Sequence, residues 1–106
     1  MQRMKRLLIL LPLLFTLFAF TTQEQKNSAI IEGVVTDQQS NQPLKGAHVY
    51  VIDGEEESLT NSKGEFRIET WQKLPVKLTI AAKGYQTTQV TVSNAGKRQV
   101  IRLKAL

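Results

Sequence analysis

The sequence predicts an all-β protein: a seven-stranded antiparallel β-sandwich with Greek-key connections, preceded by a signal peptide. Three observations carry this. From Ile31 onward the apolar residues recur at every second position, the period of a half-buried strand. Turn signals interrupt that rhythm at roughly 8–12-residue spacing, as in sandwiches. No stretch beyond residue 22 shows the 3.6-residue period of an amphipathic helix.

Each strand is read between its turns. Ile31–Asp37 is the first, with Gly33 marking a bulge or a close approach of backbone. A polar turn through Pro43 leads to the second, Lys45–Ile52. Its Ala47, Val49 and Val51 share one face, and His48, Tyr50 and Ile52 share the other. Asp53-Gly54 turns the chain into a polar, edge-like third strand, Glu55–Thr60. Asn61–Gly64 turns again into the fourth, Glu65–Thr70, with Phe66 and Ile68 inward. Val76–Ala82, with Val76, Leu78 and Ile80 in register, is the fifth. Pro75 stands before it, where a missing N–H harms no ladder. Lys83-Gly84 leads into the sixth, Tyr85–Val92. Asn94–Lys97 leads into the seventh, Gln99–Lys104, with Ile101 and Leu103 opposite Val100, Arg102 and Lys104.

The first 21 residues read as a signal peptide. Arg3, Lys5 and Arg6 precede fourteen uncharged, mostly apolar residues, Leu7–Phe20. As a helix these span about 21 Å, short of the roughly 30 Å hydrocarbon core, and Pro12 interrupts them. Ala19 and Thr21 suit the positions before a cut near Thr22, with a retained anchor as the competing reading. Residues 22–29 are then a flexible polar linker, and 30–106 the domain. Export leads to an oxidising space, yet the chain has no cysteine, so neither a disulfide nor a cysteine-linked lipid is available.

Length and charge exclude several classes. A chain of 106 residues has room for one small domain, not for a Rossmann or TIM-barrel enzyme. Three of the fourteen Lys and Arg residues lie in the leader, leaving eleven against nine Asp and Glu, a net charge of +2. That balance gives no reason to expect nucleic acid or an anionic membrane as partner. With the leader removed, no membrane span is expected.

Four blocks in order carry a resemblance: Gly33-x-Val35-x-Asp37; Pro43-Leu44-x-Gly46-Ala47-x-Val49-x-Val51; Thr60-x-x-x-Gly64-x-Phe66-x-Ile68; and Leu78-x-Ile80-x-x-x-Gly84-Tyr85, with a terminal Ile101-x-Leu103. Together they resemble the carboxypeptidase regulatory-like domain, a transthyretin-like β-sandwich also described as a peptidase-associated domain. The one mild departure is Asn61, where the family often has Asp. The resemblance implies an accessory, non-catalytic module. Such domains accompany metallocarboxypeptidases and TonB-dependent outer-membrane receptors, and also occur alone behind a signal peptide, the arrangement expected here.

The residues themselves offer little chemistry. His48 is the only histidine, and a hydrolytic zinc centre wants three protein ligands and a water. A serine–histidine–carboxylate arrangement would also need His48, which parity places on the outer face. Only a polar pocket gathering it with a serine and a carboxylate would revive an enzyme. Hydroxyisourate hydrolases resemble this sandwich, but the several histidines and the C-terminal Tyr-Arg-Gly-Ser of those enzymes are absent. The acidic run Asp53–Glu57 lacks the alternating ligand pattern of a calcium loop and reads as a solvated hairpin tip. Lys97, Arg98, Arg102 and Lys104 read as an ordinary wet strand face. No catalytic residue, cofactor or metal is therefore expected.

What remains is a surface. His48, Tyr50 and Trp71 all carry outward parity and form the candidate ligand face. The competing expectation, and the commoner fate of a tryptophan, is that Trp71 folds back over an open end of the sandwich. The resulting expectation is an exported, non-enzymatic β-sandwich that binds or scaffolds a protein or glycan at the cell envelope, in the periplasm or at the outer surface. The alternative is an accessory acting in trans on a TonB-dependent uptake receptor or a carboxypeptidase-type peptidase.

Overall fold

A computed structural model describes residues 27–106; the expected signal peptide and most of the expected linker lie outside the described residues. Seven strands form: β1 (Ala29–Asp37), β2 (His48–Ile52), β3 (Glu56–Leu59), β4 (Glu65–Thr70), β5 (Val76–Ala81), β6 (Thr88–Val92) and β7 (Gln99–Leu103). They make two sheets, one of three strands in the order β4-β1-β7 and one of four in the order β3-β2-β5-β6. Only the β2–β3 and β5–β6 connections stay within a sheet; the other four cross between layers.

The two-residue rhythm builds the core. Twelve apolar side chains form it. Ile31, Val35, Phe66, Ile68, Ile101 and Leu103 come from the three-stranded sheet, and Val49, Val76, Leu78, Ile80 and Val92 from the four-stranded one. Ala47, just before β2, completes it. All are at most 7% exposed, so alternate residues of both layers face one dry interior. Among the described residues no buried side-chain polar atom lacks a hydrogen-bond partner.

Gly33 shows why one position in β1 has no side chain. It stands opposite Phe66 in the β1–β4 ladder, whose register runs unbroken, so there is no bulge. A Cβ there would meet the Phe66 ring at 2.6 Å and collide with the Gln99 carbonyl oxygen. The Phe66 ring fills the space above the glycine.

Several expectations are corrected. Four of the five strand pairs are antiparallel, but β1 and β7 run parallel, Val35 opposite Ile101. A parallel pair cannot be joined by a hairpin; here everything between β1 and β7 serves as the crossover. β1 also begins inside the expected linker, with Ala29 opposite Thr70. β2 starts at His48 rather than Lys45, because Gly46 takes a left-handed conformation (φ 77°) and Thr60 Oγ1 accepts the Ala47 N–H. β6 starts at Thr88 rather than Tyr85, because Tyr85 bridges to Ala105 instead and Gln86 N–H donates to the Lys104 carbonyl. A register shift between Tyr50 and Ile52 leaves Val51 only half-buried. Among the described residues no helix is long and apolar enough to cross a membrane.

Candidate functional site

The β2–β3 hairpin collects the polar chemistry. Its outer face follows from register: His48 stands opposite Leu59, and Tyr50 opposite Glu57 on one side and Thr79 on the other. His48 and Tyr50, two residues apart on one strand, meet with ring centroids 4.8 Å apart at 41°. The turn closes at Gly54, whose φ of 81° suits glycine.

Glu57 is the centre of this face. Its Oε2 lies 2.8 Å from His48 Nε2 and accepts the Gly54 N–H at 2.8 Å. Both contacts favour the ionised carboxylate, with His48 the larger, and hold Glu57 below the ordinary glutamate range. Asp53 Oδ1 stands 3.9 Å from the same histidine nitrogen. The ligand-type atoms of His48, Asp53 and Glu57 all lie within 4.8 Å of one another. These three, with Gly54, Ser58 and Leu59, line a shallow groove of about 640 Å³. Leu59 rims it with two-thirds of its surface exposed (67%).

The groove gathers a histidine, a serine and carboxylates, but not as a hydrolytic triad. Ser58 stands opposite Val49, whose side chain is fully buried, so strand parity directs Ser58 away from the face that carries His48. Its hydroxyl contacts the Leu59 carbonyl at 3.5 Å. His48 Nε2 is engaged by Glu57 instead.

Trp71 is 53% exposed, so it does not fold back over an end of the sandwich. It follows Arg67 and Glu69 in outward parity beyond the three-stranded sheet, and its backbone N–H donates to Glu56 Oε2 at 2.8 Å. It does not join the His48–Tyr50 pair or the groove. Of the three candidate residues, the structure brings together two.

The acidic run divides into three environments. Glu55 is exposed at the turn. Glu56, read as solvated, is 9% exposed and takes the Thr70 hydroxyl at 2.7 Å as well as the Trp71 N–H. Glu57 faces outward to His48. A second carboxylate that the sequence reading left without a role, Asp37, accepts the Tyr85 hydroxyl at 2.6 Å and the Gln39 and Ser40 N–H groups. The tyrosine bond foremost, then the two backbone bonds, lower its pKa to about 2. The same contact raises that of Tyr85.

The two-layer arrangement of seven strands around one apolar core defines a small β-sandwich module. The signature of the CarboxypepD_reg-like domain matches residues 31–105, and the chain belongs to that family. It is also similar to Bacillopeptidase F of Bacillus subtilis (strain 168), 32% identical over 79 residues; these are 73% of this chain but 5% of that protein. Among solved structures it resembles chains of two interface mutants of a type II cohesin–X-dockerin complex from Acetivibrio cellulolyticus. One aligns with a TM-score of 0.58 at 20% identity and the other with 0.56 at 16%. Each covers 73% of this chain and 58% of the other. At those identities the likeness is one of fold.

Proposed function

We propose that the chain is an exported, non-enzymatic binding module that holds a protein partner or a glycan at the cell envelope through the outer face of its β2–β3 hairpin. The observation that carries this is the groove beside the paired His48 and Tyr50 rings, rimmed by an exposed Leu59 on an edge strand. An apolar side chain and an aromatic pair set beside polar groups are common components of a recognition patch. The edge position adds free backbone groups for a partner strand. The likeness to components of a cohesin–X-dockerin complex supports a binding role for the same fold. The test is photo-crosslinking in the native envelope, with the reactive residue placed at Tyr50 or Leu59 and, as control, at Val100 on the other sheet. Discrete adducts from the hairpin, identified by mass spectrometry, support the reading. Equal labelling from Val100 overturns it.

A second reading is favoured by the similarity to Bacillopeptidase F: the module serves a separate peptidase, or an uptake receptor, as an accessory in trans. A peptidase or receptor among the crosslinked partners selects it. A glycan array with Tyr50→Ala and Trp71→Ala variants tells a glycan ligand from a protein partner.

A further inference from the structure

We infer that His48, Asp53 and Glu57 form a site for a divalent transition-metal ion of the zinc type. The inference concerns an ion, and it stands or falls independently of what else the hairpin face binds. In sequence the three residues are spread over ten positions, with only one histidine among them. Folding the hairpin brings their ligand atoms within 4.8 Å of one another.

The distances suit an ion. Ligand atoms held about 2.0–2.2 Å from a common zinc stand about 3–3.5 Å apart by tetrahedral or octahedral geometry. His48 Nε2 is 2.8 Å from Glu57 Oε2 and 3.9 Å from Asp53 Oδ1, on either side of that range. A modest turn of the Asp53 side chain, 73% exposed at the hairpin tip, closes the set. His48 and Glu57 need little adjustment, since both sit on paired strands.

The donor set selects the ion. Two carboxylates neutralise a divalent charge, and the imidazole nitrogen favours zinc, copper or nickel over calcium and magnesium, which take oxygen ligands. The surroundings hold the ligands in place. Gly54 N–H donates to Glu57 Oε2, and the Tyr50 ring lies against the imidazole. On binding, the ion takes the Nε2 lone pair and replaces the hydrogen bond between Nε2 and Oε2, and the neutral imidazole carries its proton on Nδ1. The remaining coordination positions face the groove beside Leu59, open to water or to a donor from a bound molecule.

The test uses the untagged full-length chain in a non-ionic detergent, because an affinity tag of histidines would mask the single His48. Zinc sulfate is titrated by calorimetry and by amide and imidazole NMR. The expected result is saturable one-to-one binding, with shifts confined to the hairpin around His48, Gly54 and Glu57. His48→Gln weakens it by at least about tenfold, and calcium and magnesium leave the ring unmoved. Should His48→Gln disturb the fold, Asp53→Asn, at an exposed turn, carries the same comparison. Absence of saturation below millimolar zinc overturns the site and leaves His48–Glu57 as a cross-strand hydrogen bond only. Unchanged affinity in both variants overturns it equally. Neither outcome touches the crosslinking result, so the two readings fail separately.

Discussion

Replacing Gly33 by alanine is the smallest change expected to damage this fold. The added Cβ falls against the Gln99 carbonyl oxygen in the parallel β1–β7 ladder, and 2.6 and 2.7 Å from two atoms of the Phe66 ring. The ring can tilt, but the carbonyl belongs to a strand fixed by its own hydrogen bonds and by buried Ile101 and Leu103 further along it. Overpacking of this kind costs about 1–3 kcal/mol. A domain of the 80 described residues has an unfolding entropy of about 0.17 kcal/mol per kelvin, so the melting temperature falls by about 6–18 °C. Thermal unfolding followed by far-ultraviolet circular dichroism measures it. A second variant locates the obstacle: adding Phe66→Leu removes the ring atoms but not the carbonyl, so the double variant is expected to melt no higher than Gly33→Ala. A Gly33→Ala protein melting within about 2 °C of the parent would refute the close approach of β1 to β7.

On β7, Leu103→Ala is expected to cost about 2–5 kcal/mol and Val100→Ala less than about 0.5, because alternate residues face the core and water; equal losses in denaturant titrations would contradict the strand's orientation. Glu56→Ala strands the buried Thr70 hydroxyl and the Trp71 N–H and is expected to cost about 1–3 kcal/mol, against less than about 0.5 for exposed Glu55→Ala in the same titration. Asp37, lowered to about 2 in the fold, supplies stability that is present above its ordinary pKa and lost as the pH falls toward 2; Tyr85→Phe is expected to flatten the melting temperature of the protein across that window, and a parallel curve would exclude the bond. The raised pKa of Tyr85 acts in the opposite direction, its contribution being lost as the pH climbs past 10, measurable by ultraviolet titration of the phenolate.

The layers and the core were legible because burial of one strand face imposes a two-residue period that survives any topology. Val35, Val49, Phe66, Leu78 and Leu103, all on that rhythm, are all buried. The same period is shared by parallel and antiparallel strands, so it could not reveal that β7 runs alongside β1. Strand starts depart from the local pattern where tertiary hydrogen bonds override it: Ala47 is tied to Thr60, and Tyr85 to Ala105. Gly33 carried a legible signal, since a glycine amid apolar strand residues marks a tight approach. The candidate site was half legible. Parity put His48 and Tyr50 on one face, but the meeting of His48 with Asp53 and Glu57 depends on hairpin register, which the lone histidine and the acidic run did not announce separately. Trp71 shows the limit of a frequency argument, because its parity, not the usual burial of tryptophan, describes its place.

A sandwich without disulfides still needs its two layers held in a fixed relation, and apolar packing alone tolerates sliding. Here side-chain hydrogen bonds to Asp37 and to Glu56 are among the polar contacts that join the sheets. Asp37 of the three-stranded sheet takes the hydroxyl of Tyr85, which stands in the connection from β5 to β6 of the other layer. Glu56 of the four-stranded sheet takes the hydroxyl of Thr70 from β4. These hydrogen bonds are specific in angle and distance, so they resist a shift of register that hydrophobic contacts would permit. The second also separates the duties of adjacent glutamates. Because side chains alternate along β3, Glu56 turns inward to join the layers while Glu57 turns outward to His48. One short strand thereby anchors the frame and presents the face on which binding is proposed. Replacing these two residues one at a time, Glu56→Gln with Glu57 kept or Glu57→Gln with Glu56 kept, should divide the consequences: the first lowers stability and leaves the His48 environment intact, and the second releases His48 while the melting temperature holds. Calorimetry and the imidazole NMR signals of the two variants distinguish the roles, and loss of both properties in either one would show that the face and the frame are not separable.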